Sequence, residues 1–293
     1  MFDPELLDRP DFKAMDERIR DIAATPSTRE EFVRAFNAAW RAGPISHVSL
    51  QIARSTADET ATYLDTMRVG GRGARLEWRG AVAVLTVTTM MGLDTIEQIE
   101  QAFADIRARG AAAVVIDLRE NDGGAFAGIA LVQPVLTAPV DAGAFVSQGW
   151  NREMNRPPTI EDVSNIEPWT GWSLKTFWRD VQDNRITRIQ FRPAGDTYSG
   201  QVFVLVSRGT RSAAEMTADA LKASGRATVV GEKTAGRMLS QKMYDLSSGL
   251  QLSLPIADYY SFTSGRIEGH GVAPHIVTAP ELALDTALRL AAR

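Results

Sequence analysis

Apolar and polar positions change their period several times along this chain, and each change marks an element. Phe32, Val33, Phe36, Ala39 and Trp40 recur at helical spacing. Ser27 followed by Glu30 and Glu31 predicts the cap of that helix, and Gly43-Pro44 predicts its end. The segment to about Ala42 therefore reads as helices. His47 to Ala53 alternates as a strand does, and the glycine-rich residues 68–74 read as a joint. Beyond it, Ala81–Val87 predicts a strand and Ile96–Arg109 an amphipathic helix. Ala111–Leu118 is a continuous apolar run, the pattern of a strand buried on both faces. A turn at Asn121-Asp122-Gly123-Gly124 then leads into a helical pattern from Ala125 to Leu136. Later come a buried strand at Val202–Val206, a helix at Ser212–Ser224, a strand at Thr228–Val230 and a hairpin at Tyr244–Ile256 around Ser247-Ser248-Gly249.

Strands alternating with helices imply βαβ units and an α/β core. The expected organisation is an N-terminal helical appendage over residues 1–72 and a core over 73–293. Residues 137–200 fit the alternation least. They gather Trp150, Trp169, Trp172, Phe177 and Trp178 among prolines and polar residues, and read as an aromatic insertion, either a pocket wall or a surface excursion with its own small core.

Composition narrows the function. The chain has 293 residues, 44% of them hydrophobic, which is enough for a large core. A formal net charge of -4 gives no electrostatic case for nucleic acid. No apolar stretch reaches the roughly 18 residues of a membrane span. The start, polar and acidic, does not read as a signal peptide, so the chain as written reads as soluble and cytoplasmic, or as periplasmic or secreted if a leader was removed. The absence of cysteine excludes disulfides, thiolate metal sites and a cysteine nucleophile.

Two segments, AAAVVIDLRENDGGAF and QVFVLVSRGTRSAAEMTADAL, share one layout: a buried strand, a tight turn, then a helix. Ligands of open α/β sheets collect at such turns. Glycines at 123 and 124 can present backbone N–H groups, and Ser212 opens a helix whose free N–H groups favour negative charge. A serine nucleophile with a neighbouring glycine amide has the parts for acyl transfer. Taken alone, Ser212-Ala213-Ala214-Glu215 also reads as an ordinary capping box, and Asp-Gly-Gly as an ordinary turn.

IDLRENDGG, SRGTRSAAEMTADALKASGRATVVGEKTAGR and Glu268-Gly269-His270-Gly271-Val272-Ala273-Pro274 occur in this order. Together they resemble the strand-turn, nucleophile and closing motifs of the carboxyl-terminal processing and tricorn-core serine peptidases, over about residues 73–278. The resemblance implies an α/β, crotonase- and Clp-protease-like layered core, with Ser212 as nucleophile and Gly123, Gly124 and Ala213 as oxyanion donors. It implies no cofactor and no metal. The PDZ domain of many members is expected to be missing, because too few residues separate the N-terminal helices from the core. Where well-known members carry the lysine of a serine–lysine dyad, this chain has Arg237, which cannot act as a base.

The chain is in this respect similar to the branch that includes the tricorn core and the repeats of interphotoreceptor retinoid-binding protein. That likeness implies His47, in Ser46-His47-Val48-Ser49-Leu50, as base and Glu268 as the carboxylate that orients it. An imidazole base predicts activity rising through an apparent pKa of about 6 to 7. Lys233 as a substitute base, and a metal cluster of Glu268, His270 and His275, are the competing readings. The implied activity is hydrolysis of a peptide or small acyl substrate, with Trp169, Trp172 and Trp178 as pocket wall. An esterase or lactonase, and a non-catalytic binder of apolar ligands, remain open, as does oligomeric state.

Overall fold

The Val-rich runs become the middle of a mostly parallel sheet, as burial on both faces requires. The computed structural model describes residues 2–292. Its elements in chain order are helices α1 (Pro10–Ala24) and α2 (Arg29–Trp40), strand β1 (Ser49–Ile52), α3 (Ala57–Thr66), strands β2 (Ala74–Arg79) and β3 (Val82–Val87), α4 (Leu93–Ala108), β4 (Ala113–Asp117), α5 (Ala127–Val132) and β5 (Val140–Ser147). There follow α6 (Gln148–Met154), α7 (Ile160–Val163), α8 (Leu174–Asp183), β6 (Ile186–Phe191), β7 (Gln201–Val206), α9 (Ala213–Ala223), β8 (Ala227–Gly231), β9 (Leu239–Leu246), β10 (Leu250–Ser261), β11 (Gly265–Arg266), β12 (Ile276–Val277) and α10 (Pro280–Ala291).

The first sheet has the order β12-β8-β7-β4-β3-β2 and is parallel except for its β2–β3 edge. Alternate residues of its strands serve different layers. Val114, Ile116 and Val204 face the main core, which includes Ile99, Phe103 and Ile106 of α4 and Ala214, Ala218 and Leu221 of α9. Ala113, Val115, Phe203 and Leu205 face the opposite way, onto Ala283 and Ala287 of α10. The second sheet is antiparallel and is built around the 12-residue β10, which pairs with β1, β5, β9 and β11, while β6 extends it beyond β5. The layered α/β architecture expected from the sequence is the one found.

Two details differ from the sequence reading. The cap of α2 is Thr28 rather than Ser27: its Oγ1 accepts from the Glu31 N–H at 3.2 Å while Glu31 accepts the Thr28 N–H at 2.8 Å. Residues 137–200 are not a surface excursion, since they supply β5 and β6 to the second sheet. Gly143 and the charged Asp141 interrupt β5 as a pattern, yet Asp141 is paired with Arg188 of β6 at 2.6 Å, so the charge is answered across the strands. The strand expected at His47–Ala53 is found as β1. β1 pairs with Leu250–Ser253 of β10, and α1 and α2 pack over it through Phe36, Trp40, Leu50 and Leu250. That pairing brings the end of the appendage to the core.

Candidate active site

β7 ends at Val206, and the chain turns through Ser207–Arg211 before α9 begins at Ala213. Ser212 sits at the join with φ 54° and ψ −123°, a backbone region that L-residues seldom occupy. The turn is held there from both sides. The Arg211 N–H donates to the Asn121 carbonyl at 2.9 Å, and the Ser212 N–H to Glu215 Oε2 at 3.1 Å. Glu215 is fully buried and takes three more donors, the Thr234 hydroxyl, the Gly236 N–H at 2.7 Å and the Arg237 N–H at 2.8 Å. Burial pushes its carboxyl up and these donors oppose that shift. The capping reading therefore holds for Glu215 and not for the serine side chain, whose Oγ lies 3.1 Å from His47 Nε2. Strain of this kind persists only where surrounding contacts enforce it.

His47 has φ 60°, so two of the three non-glycine residues with positive φ among the described residues are Ser212 and His47. Its Nδ1 lies 2.6 Å from Ser46 Oγ, and Ser46 Oγ donates to Glu268 Oε2 at 2.8 Å. Glu268 also accepts the Ser46 N–H at 2.8 Å and the Met238 N–H at 2.7 Å. The expectation that Glu268 orients the imidazole directly is corrected here: Ser46 stands between them. An ionised carboxylate only accepts, so the Ser46 hydroxyl proton points to Glu268 and its oxygen accepts from His47 Nδ1–H. Nε2 is then the unprotonated nitrogen and can accept from the Ser212 hydroxyl. Burial, together with the positive charge of Arg237, pushes the His47 pKa down to about 4, below the value expected for an ordinary imidazole base.

The glycine turn lies against Ser212, with one change to its expected role. The Gly123 N–H donates to Asn121 Oδ1 at 2.8 Å and is not free for a ligand. Gly123 is required for another reason: at φ 88°, an added Cβ would lie 2.7 Å from Ser212 Cβ. Gly124 forms a parallel bridge with Met90 made by its neighbours, the Gly123 carbonyl and the Ala125 N–H, which leaves its own N–H unused. The Ala213 N–H, the first of α9, likewise has no acceptor among the described residues. Asn121, fully buried, was not singled out in the sequence. It binds the Val87 carbonyl at 3.0 Å as well as Gly123, and so fixes the turn.

Trp169, Trp172 and Trp178 line one cavity together with Ser212, His47, Gly124 and Ala213. Its volume is about 640 Å³. Lys233 is exposed and makes no hydrogen bond to Ser212. His270 binds the Glu268 carbonyl, whereas His275 Nδ1 accepts the Val229 N–H at 3.0 Å where β12 joins β8. His275 thus extends the main-chain pairing of that edge, which accounts for a histidine at this position. Among the described residues no group of three or more His, Asp or Glu side chains is arranged to hold a metal ion, and no helix is long and apolar enough to cross a membrane.

The sequence profile of peptidase family S41 matches residues 81–278, which includes β3 through β12 and the turns of Gly123, Ser212 and Glu268. The chain belongs to peptidase family S41. Among curated S41-type relatives, it is 30% identical over 215 residues to the chloroplastic C-terminal processing peptidase of Tetradesmus obliquus, an alignment covering 72% of this chain and 37% of that protein. It is 27% identical over 186 residues to the carboxyl-terminal-processing protease of Synechocystis sp., covering 64% and 35% respectively. The chain thus spans little more than a third of the length of these relatives. Its fold is similar to that of a photosystem II D1 C-terminal processing protease, with a TM-score of 0.51 at 23% identity over 82% of this chain and 50% of that one. A lipoprotein from Streptococcus agalactiae matches over 97% of this chain and 89% of its own, with a TM-score of 0.56 at 16% identity.

Proposed function

We propose that this S41 chain is a serine hydrolase that cleaves a peptide bond, or a related acyl bond, through an acyl-enzyme on Ser212. The observation that carries this reading is the unbroken hydrogen-bonded series Ser212–His47–Ser46–Glu268, in which the acceptor-only carboxylate dictates the tautomer of the imidazole. Ser212 Oγ attacks the carbonyl carbon while His47 Nε2 takes its proton. The imidazolium that forms keeps donating its Nδ1–H to Ser46 Oγ, whose own hydroxyl proton stays on that oxygen and points at Glu268, so the negative charge of the carboxylate is felt through one hydroxyl. The Gly124 and Ala213 amides are the donors for the oxyanion. His47 returns its proton to the leaving amine, and water repeats the sequence to release the acid.

A fluorophosphonate probe tests the nucleophile. It is expected to attach to Ser212 of the wild-type protein, as read by mass spectrometry of the peptides, and not to label Ser212→Ala. A protein that stays unlabelled, or is labelled at another residue, refutes the reading. A labelled protein that turns over esters and no amide shifts the assignment to an esterase.

A further inference from the structure

The cavity beside Ser212 has a chemical character that the motifs do not specify. Its wall is aromatic and interlocked. Phe126 stacks on Trp169 at 5.1 Å, and Trp169 and Phe145 each meet Phe177 edge-on, at 4.9 and 5.2 Å. The Trp169 indole N–H is engaged by Asp180 Oδ2 at 3.1 Å, so its polar atom has a protein partner and its ring faces remain apolar. Such a cluster leaves few rotamers open and behaves as a rigid surface.

The cavity starts at the nucleophile. The Met216 N–H donates to the Ser212 carbonyl at 3.1 Å, which sets Met216 one helical turn above the serine, and Met216 lines the cavity. On the other side, Phe126 follows the glycine turn that packs against Ser212. The charged groups that touch the cavity are poorly suited to a buried ion. Asp122 is paired with Arg211 at 2.5 Å, and Arg192 is exposed with its Nε on Gln190. A charged substrate group entering the aromatic part would lose its hydration without a partner.

Orientation follows from the chemistry. The leaving group has to lie at His47, which returns the proton to it. Met216 and Phe126 border the cavity from the two elements that carry the proposed oxyanion donors, α9 with Ala213 and the turn with Gly124, so they lie beside the carbonyl. The space bounded by the glycine turn, Met216 and the aromatic wall is therefore on the acyl side of the scissile bond.

We infer that this cavity selects the residue whose carbonyl is attacked, and that it takes a large apolar side chain there, aromatic or long aliphatic, in preference to a small or charged one. The inference rests on the serine hydrolase reading above. It makes Met216 and Phe126, with the Trp169–Phe177 pair behind them, the residues that set specificity.

The experiment measures kcat/KM for fluorogenic peptide amides identical except for the residue before the cleaved bond, which is Gly, Ala, Leu, Phe, Asp or Lys. Fluorophosphonate labelling of the same preparations is followed in parallel. Phe and Leu are expected to exceed Ala by about 10- to 100-fold, the range that apolar pockets give for added hydrocarbon, with Asp and Lys lowest. Ile129 of α5 also lines the cavity, and Met216→Trp and, separately, Ile129→Trp narrow it and are expected to lower the Phe-to-Ala ratio at least 10-fold. Two substitutions on different elements protect the test against misfolding of one. Wild-type protein that is labelled at Ser212 yet prefers Gly, Ala, Asp or Lys, or cleaves none of the series, overturns this inference and leaves the nucleophile standing. Absence of both labelling and cleavage overturns the hydrolase reading itself. Ratios unchanged in both variants overturn the assignment of the cavity to specificity.

Discussion

Replacing Glu215 by glutamine tests whether one buried carboxylate holds the active-site loops in place. Glu215 accepts from the N–H groups of Ser212, Gly236 and Arg237 and from the Thr234 hydroxyl. An amide offers one oxygen. If that oxygen takes the place of Oε2, it keeps Ser212 and Arg237, and the new NH2 faces the Gly236 N–H. If it takes the place of Oε1, both the Ser212 and the Arg237 N–H groups lose their acceptor. Either way at least one buried backbone donor is left facing another donor, and the retained bonds lose their charge assistance. Each lost hydrogen bond to a charged group is worth about 1.5–3 kcal/mol, so the expected destabilisation is roughly 2–4 kcal/mol. For a chain of this size that lowers Tm by about 3–7 °C. Catalysis should fall as well, because the loop from Thr234 leads directly into Met238, whose N–H holds Glu268. A thermal melt by circular dichroism and kcat/KM on a fluorogenic amide measure the two effects. A Glu215→Gln protein with an unchanged Tm and unchanged kinetics would refute the argument.

The remaining expectations concern the relay and its surroundings. Ser212→Ala should retain the fold and lose turnover by several powers of ten, while Ser212→Gly, freed of the φ 54° strain, should be about 1–2 kcal/mol more stable than the alanine variant, as a denaturant titration would show. Ser46→Ala should lower kcat by at least about 10-fold with little change in KM, since it cuts the hydrogen-bonded path from His47 through Ser46 to Glu268; full kcat in this variant would argue that Ser46 is structural. With His47 held at about 4 rather than 6.5, kcat/KM should persist on acidification and fall only near pH 4, and Arg237→Gln should move that limb upward; a limb left near 6.5 contradicts the burial argument. The sign for stability follows: the unfolded chain gains a proton below 6.5 that the native imidazole refuses, so about 3 kcal/mol present at neutral pH is lost as pH falls toward 4, and His47→Gln should flatten that dependence in urea melts. Gly123→Ala should abolish activity and lower Tm, because its Cβ would press on Ser212 Cβ at 2.7 Å with φ at 88°.

What could be read from residues alone divides by physical cause. Ser212 stands out as a candidate because strand-turn-helix spacing survives as letters, and His47 and Glu268 because the short motifs that carry the resemblance do. The layered core is visible because burial on both faces leaves continuous apolar runs such as Ala111–Leu118. Ser46 was inside the quoted motif, but no periodicity tells that a hydroxyl bridges an imidazole and a carboxylate 222 residues later. The direction of the Gly123 N–H depends on Asn121, a contact set by side-chain rotamer rather than spacing. β5 and β6 were hidden because a cross-strand ion pair looks, along the chain, like scattered polar residues. The lowered pKa of His47 arises first from its burial and then from the charge of Arg237, a surrounding that no single segment encodes.

The pairing of β1 with β10 also orders events during synthesis. His47, the proposed base, is made early, and Ser212, the proposed nucleophile, much later. His47 reaches Ser212 only when β1 has a strand to pair with, and that strand spans residues 250–261. The carboxylate that fixes the imidazole comes later still, at residue 268. A growing chain therefore contains Ser212 before it contains the strand that brings His47 against it. On the proposed mechanism the Ser212–His47–Ser46–Glu268 series is complete only once the second sheet closes, so chain order separates the making of the serine from the placing of its base.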